Sequence, residues 1–333
     1  MENVIILQSY SSISYAVNLY YYLKDMNKEP YFIVFNNENI SKFLHFIGIP
    51  ETNIKFLEYS LCGYNFFSNK INFFKKIKEV KKICKNNVYI FNKNECIEIF
   101  DLFYRLEKSN LIKINYINFD PIIQYNNQDL LRNLIYFIKY KFYVKVPFKV
   151  SSNKNIIITE VDNSVLSRFT MEKIDFNHNY FKDLVKGTNE KVMVAEVDLI
   201  ESGRCKDNFV STNNKIYDIL TYNFKVISVK PHPMFNNIYF DGNRSKIKVI
   251  EEYIPFEALL YDDNIEVVVG VMTTALINAA EMGKKVISTL EFYEFEQKNE
   301  IKEWLAKESK GRILFPKTFE EFEMILGVDK NDL

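Results

Sequence analysis

Short runs of β-branched and aromatic residues alternate with longer amphipathic stretches along the chain, and this alternation predicts strands joined by crossover helices into parallel sheets. In the first half the strands fall at Val4–Gln8, Tyr31–Phe35, Lys55–Glu58, Val88–Phe91 and Lys113–Phe119. Helical periodicity fills the gaps over Ser12–Lys24, Asn39–Ile47, Asn72–Lys85, Glu95–Glu107 and Asp129–Lys141. After Val146-Pro147 and the polar stretch Ser151–Asn155 the pattern starts again, with strands at Ile156–Glu160, Lys191–Glu196, Lys225–Lys230, Lys246–Ile250, Glu266–Val269 and Lys285–Thr289. Helices follow at Asn213–Tyr222, Phe256–Leu260, Thr274–Met282 and Gln297–Ser309. A chain of 333 residues is too long for a typical single α/β domain and suits two lobes of about 150 residues each. The expected organisation is therefore two Rossmann-like parallel-sheet lobes facing a cleft, 1–150 and 151–333.

Composition removes several function classes. Forty-three basic residues balance forty-three acidic ones, so no global field marks a nucleic-acid binder. With only nine glycines, the sequence contains neither G-x-G-x-x-G nor the P-loop pattern. Cys62, Cys84, Cys96 and Cys205 form no C-x-x-C pair, and His45, His178 and His232 stand far apart, so a reduced compartment without structural zinc is expected. No apolar stretch is long enough to cross a bilayer, and the N-terminus begins directly as a strand, which gives a cytoplasmic expectation. Charge is nevertheless uneven. Residues 70–149 hold 16 basic against 7 acidic residues, and residues 251–333 hold 9 against 18. The aromatic and lysine-rich segment 132–149 reads either as a solvated helix and strand or as a surface for anionic lipid or glycan, at the inner face of a membrane.

Ligands of parallel sheets bind beyond the carboxyl ends of the strands, so the residues there carry the search for chemistry. Strand Lys225–Lys230 runs into Lys230-Pro231-His232-Pro233, where prolines on both sides of His232 fix the backbone and present the imidazole rigidly. The same string also reads as an ordinary turn. Tyr253-Ile-Pro-Phe-Glu257 sets a carboxylate at a helix start, where it can accept from a ribose diol or simply favour the helix dipole. Thr273 and Thr274 follow a buried strand at the next helix start, as a phosphate cradle or as a plain cap. Asp120 ends the strand Lys113–Phe119 as a candidate general base, or as an Asx-Pro turn. Ser9, Ser11 and Ser12 follow the first strand, as sugar contacts or helix caps, and Gly203 with Arg204 offers close approach and a cation to the donor.

In order and spacing, K-P-H-P, then I-P-x-E, then a hydroxyl pair at a strand–turn–helix, the chain resembles the bacterial sialyltransferases of GT-B fold, the lipooligosaccharide sialyltransferase and capsular polysialyltransferase families. The resemblance covers about residues 190–290. It implies that His232, with Lys230 and Pro233 around it, meets the phosphate of CMP-sialic acid, that Glu257 binds the ribose, and that Thr273 and Thr274 bind the phosphate. Two departures stand out: threonine replaces the commoner serine in the hydroxyl pair, and the family's acidic D/E-D/E-G motif is missing. The D-x-D pattern that holds a metal in many GT-A enzymes is absent too. Together these give an inverting transfer to a cell-surface glycan acceptor, lipid-linked in one version, with the CMP-sugar as donor substrate and without cofactor or metal. Related machinery fits CMP-Kdo or another CMP-nonulosonate, a CDP-polyol phosphate transferase, a GT-B sugar-nucleotide epimerase, or a non-catalytic nucleotide-sugar-binding protein.

Overall fold

The computed structural model describes residues 1–8, 10–58, 66–91, 113–117, 148–153, 156–161, 170–172, 180–184, 190–197, 199, 208–232, 238–242, 244–294 and 297–327. The chain divides into two compact units, Met1–Phe181 and Lys182–Leu333.

The first unit is built on a sheet whose strands β1 (Asn3–Leu7), β2 (Pro30–Phe35), β3 (Ile54–Leu57), β4 (Asn87–Phe91), β5 (Lys113–Ile117) and β8 (Thr170–Glu172) run in the spatial order β3-β2-β1-β4-β5-β8. Every pairing in it is parallel. β1 is buried at all five positions and β2 at five of six, the near-continuous apolar signature of strands covered on both faces. Helices α1 (Ile13–Asp25), α2 (Glu38–Phe46) and α3 (Phe66–Ile83) supply the crossovers among the first four strands. α2 starts at Asn37, whose side chain accepts from the Ile40 N–H. Between β5 and β8 a separate antiparallel pair forms, β6 (Phe148–Asn153) with β7 (Ile156–Val161).

This corrects the expected organisation. Ile156–Val161 does not open the second sheet, and the division falls after β8, not at 150/151. The cause is packing beyond β8: Phe181 is fully buried against Phe43, its N–H donates to Asn18 Oδ1 at 3.1 Å, and the Tyr180 hydroxyl donates to Asp25.

The second unit repeats the plan. Strands β9 (Val192–Ala195), β10 (Ile227–Lys230), β11 (Ile247–Val249), β12 (Val267–Gly270), β13 (Lys285–Ser288) and β14 (Ile313–Leu314) lie in the order β11-β10-β9-β12-β13-β14, again all parallel. Both sheets thus have the 3-2-1-4-5-6 order of the doubly wound fold. Helices α4 (Phe209–Asn223), α5 (Phe256–Leu259), α6 (Thr274–Glu281), α7 (Lys298–Glu308) and α8 (Phe319–Leu326) join or follow these strands. The core combines the strand interiors with Phe209, Tyr217, Leu276, Tyr293, Leu305 and Phe322. Among the described residues, no helix is long and apolar enough to cross a membrane.

Candidate nucleotide site

The strand register of the second sheet builds one straight carboxyl edge. Lys230 of β10 lies beside Ala195 of β9, Ala195 beside Gly270 of β12, and Gly270 beside Ser288 of β13. Strand order reverses between β9 and β12, so the loops leaving this row diverge and open the crevice where such sheets hold ligands. Gly270 is required by the close approach: a Cβ there would stand 2.9 Å from the Ala195 carbonyl oxygen. The turn after it is held by β13, through the Ser288 hydroxyl on the Val271 carbonyl at 2.6 Å and the Thr289 N–H on the Gly270 carbonyl at 2.8 Å.

Beyond that turn Thr273 is the cap of α6, its hydroxyl accepting from the Ala275 N–H at 3.3 Å, and Thr274 is the exposed first residue of the helix. The ordinary cap and the phosphate cradle therefore coincide, because the free N–H groups of the first turn point to the carboxyl side of the sheet. Thr273→Ala is expected to cost about 1 kcal/mol of stability, with Thr273→Ser near neutral, as read by thermal melting. If the two variants melt alike, the hydroxyl does not act as a cap.

On the other side of the switch point, β10 ends at Lys230, Pro231 is buried, and His232 is partly exposed. Lys230 is only 4% exposed. Its ammonium donates to the carbonyls of Pro231 and Glu252, both at 3.1 Å, and burial lowers its pKa to about 8 against the pull of Glu252 and Glu257. Glu257 sits in the first turn of α5, as the sequence predicts, with Pro255 at the cap. Burial pushes its carboxyl above the usual carboxylate range, while its own backbone N–H, the Asn278 amide and the Lys230 charge act the other way. The Asn278 bond, Nδ2 to Glu257 Oε1 at 3.2 Å, ties α5 to the helix that Thr273 caps.

The structure thus gathers Lys230, His232, Glu257, Thr273 and Thr274 on one edge of one unit. Pro233, Gly203, Arg204, Asp120 and Ser9 lie outside the described residues. Ser11 falls in a short 3₁₀ turn, Tyr10–Ser12, beyond β1, and Ser12 is buried at the start of α1.

Sequence reasoning missed two groups. Asn278 stands four residues after Thr274, one helical turn on, so the spacing was legible once Thr274 had been placed at the helix start. Glu196, directly after β9, is 7% exposed and accepts from the Tyr217 hydroxyl and from Asn213 Nδ2 at 3.3 Å. Asn213 also donates to the Tyr239 carbonyl at 3.1 Å and accepts from the Tyr293 hydroxyl at 3.2 Å. Burial, then the Glu196 charge, pushes the Tyr217 phenol well above its usual range. No local signal marks this network, because its members come from four separate segments. Among the described residues no three His, Cys, Asp or Glu come together as a metal site.

No protein-family model and no curated protein matches the sequence. Solved structures do match. The UDP-GlcNAc 2-epimerase of Methanocaldococcus jannaschii aligns over 98% of this chain and 92% of its own, with a TM-score of 0.50 at 12% identity. The chain has a GT-B fold. The UDP-GlcNAc 2-epimerase of Neisseria meningitidis, bound to UDP-GlcNAc, aligns over 98% of this chain and 90% of its own with a TM-score of 0.48 at 11% identity. A UDP-glucosyltransferase from Polygonum tinctorium aligns over 98% and 89% with a TM-score of 0.45 at 9% identity. In GT-B terms, the candidate site lies on the carboxyl edge of the C-terminal Rossmann-like unit.

Proposed function

We propose that the protein acts on a nucleotide sugar and that its C-terminal unit holds the nucleotide. The observation that carries this reading is the arrangement around the switch point: His232 beyond β10, and Glu257 bonded to Asn278 of the helix that Thr273 caps. A carboxylate accepts both hydroxyls of a ribose, and an imidazole, hydroxyls and a helix N-terminus donate to a phosphate and stabilise it as a leaving group. The Glu257–Asn278 bond fixes the two subsites relative to each other.

Two readings of the sugar chemistry follow. Transfer of sialic acid or a related nonulosonate from a CMP donor rests on the K-P-H-P, I-P-x-E and Thr-Thr order, with Asp120 as the base that deprotonates the acceptor hydroxyl. Epimerisation of a UDP-sugar, which needs no acceptor, rests on the fold likeness to a UDP-GlcNAc 2-epimerase. The comparisons lend the epimerase reading more support than they lend sialyl transfer.

Thermal melting with CMP, CDP, UDP or GDP, in the absence of metal, tests both. A nucleotide at a hundred times its Kd adds about 2.7 kcal/mol of stability, a shift of about 5–10 °C for a unit of the size of Lys182–Leu333. His232→Ala and Glu257→Ala are expected to lose that shift; His232→Ala should melt normally without ligand, whereas Glu257→Ala should melt lower because the Asn278 amide loses its acceptor. A response to CMP alone supports transfer, and one to UDP alone supports epimerisation. Absence of any response would overturn the nucleotide reading.

A further inference from the structure

The resemblance and the motif both treat Lys230 as one of the groups that meet the donor. Its surroundings assign it different work. We propose that Lys230 is a positioning residue of the nucleotide site: its buried ammonium ties the turn after β10, which carries His232, to the loop after β11, which leads into Glu257. This rests on the nucleotide reading above.

Three observations carry it. The ammonium is enclosed, at 4% residue exposure, and two of its three N–H donors are engaged by the carbonyls of Pro231 and Glu252. Those carbonyls belong to two segments that the sheet alone does not fix: the turn carrying His232, and the loop Ile250–Pro255 that leads into Glu257. β10 and β11 pair from Ile227 to Val229 opposite Ile247 to Val249, and the Ile250 N–H still donates to the Val229 carbonyl at 2.8 Å, so the lysine carries the tie only past Ile250. The third observation is electrostatic: Lys230 and Glu257 each favour the charged form of the other. A half-buried carboxyl that accepts two ribose hydroxyls has to be ionised, and the buried Lys230 cation biases it that way.

Among the described residues the charged neighbours are these. Glu252 and Glu257 pull Lys230 toward its cationic form, His232 stands two residues along the same turn, and Glu196 of the neighbouring segment bonds the Lys230 carbonyl through its backbone N–H at 3.0 Å. Lys248 on β11 is paired away with Glu190.

Because burial brings Lys230 down to about 8, its charge is present at neutral pH and lost as the pH rises through that value. A bound nucleotide brings anionic phosphate to the same edge and fixes Glu257 as a carboxylate, so the complex favours the protonated lysine. Binding on the alkaline side is therefore expected to take up a proton, with affinity falling as the pH rises.

Calorimetric titration with CMP and with UDP, at pH 7.5 and pH 9 in two buffers of different ionisation enthalpy, reads both effects. The wild-type protein is expected to bind up to about tenfold more weakly at pH 9 and to take up close to one proton there. Lys230→Arg, whose charge does not titrate, should bind with little pH dependence and without uptake. Lys230→Met should bind about 10- to 100-fold more weakly at pH 7.5, the size of one lost charge-assisted contact, again without uptake. Should the arginine variant fail to fold by circular dichroism, the wild type against Lys230→Met gives the same decision. Binding without uptake in the wild type, or uptake that persists in both variants, would overturn the role of Lys230 and leave the nucleotide reading standing. If neither nucleotide binds at any pH, both fall together.

Discussion

Gly270→Val is expected to melt the C-terminal unit at a temperature far below the wild type and to remove its response to nucleotide. Gly270 is the last residue of β12, and β9 and β12 are the two central strands of the sheet. A Cβ at this position meets the Ala195 carbonyl oxygen at 2.9 Å and Leu276 Cδ2 at 3.2 Å. The leucine can turn away. The carbonyl cannot, since it is backbone at the end of a strand paired on both sides. Valine adds two methyl groups to that clash, so the strands must separate where they are most tightly held. Overpacking of this kind costs about 3 kcal/mol, which for a unit of the size of Lys182–Leu333 lowers the melting temperature by about 6–12 °C. The turn Val271–Thr273 moves with the strand, so the α6 start is displaced as well. Melting of the variant within 2 °C of the wild type would mean that the close approach is not what excludes side chains here.

Glu196→Ala is the second large effect. The carboxylate accepts from Tyr217 and Asn213 in the interior, and Asn213 in turn holds Tyr293 and the Tyr239 carbonyl. Removing it leaves the Tyr217 hydroxyl without its acceptor, at about 1–3 kcal/mol, and takes one of the two bonds of the Asn213 amide, which keeps the Tyr239 carbonyl, at about 1 kcal/mol, so about 2–4 kcal/mol is expected in urea unfolding. Glu196→Gln retains an acceptor oxygen for Tyr217 and should recover at least half of the loss. Equal losses in the two variants would show that the charge matters and the bonds do not.

Much of the fold was legible because parallel strands buried on both faces read as near-continuous apolar runs, and β1, β2, β4, β9 and β12 are such runs. The elements that escaped have weak signals for physical reasons. β8 and β14 are edge strands of three and two residues, too short to show a period, and they are made by pairing with β5 and β13. The domain boundary failed on the same point: Ser151–Asn155 looks like a linker because it is polar, yet Ser151–Asn153 belongs to β6 and pairs with β7, while Tyr180 and Phe181 are held to the first unit by contacts with residues far earlier in the chain. At the candidate site, Lys230, His232, Glu257 and Thr273 were legible because prolines and helix starts mark them locally. Asn278 and Glu196 were not, since hydrogen bonds across the fold give them their meaning.

The placing of β8 also bears on how the chain is made. The sixth strand of the first sheet emerges from the ribosome more than fifty residues after the strand it must pair with, and the β6–β7 hairpin is synthesised in between. Until Thr170–Glu172 arrive, β5 is the open border of a finished five-stranded sheet, with one row of backbone donors and acceptors facing outward. The nascent protein therefore passes through an interval in which that edge can pair with another strand, and the speed of translation across residues 118–172 sets how long the interval lasts.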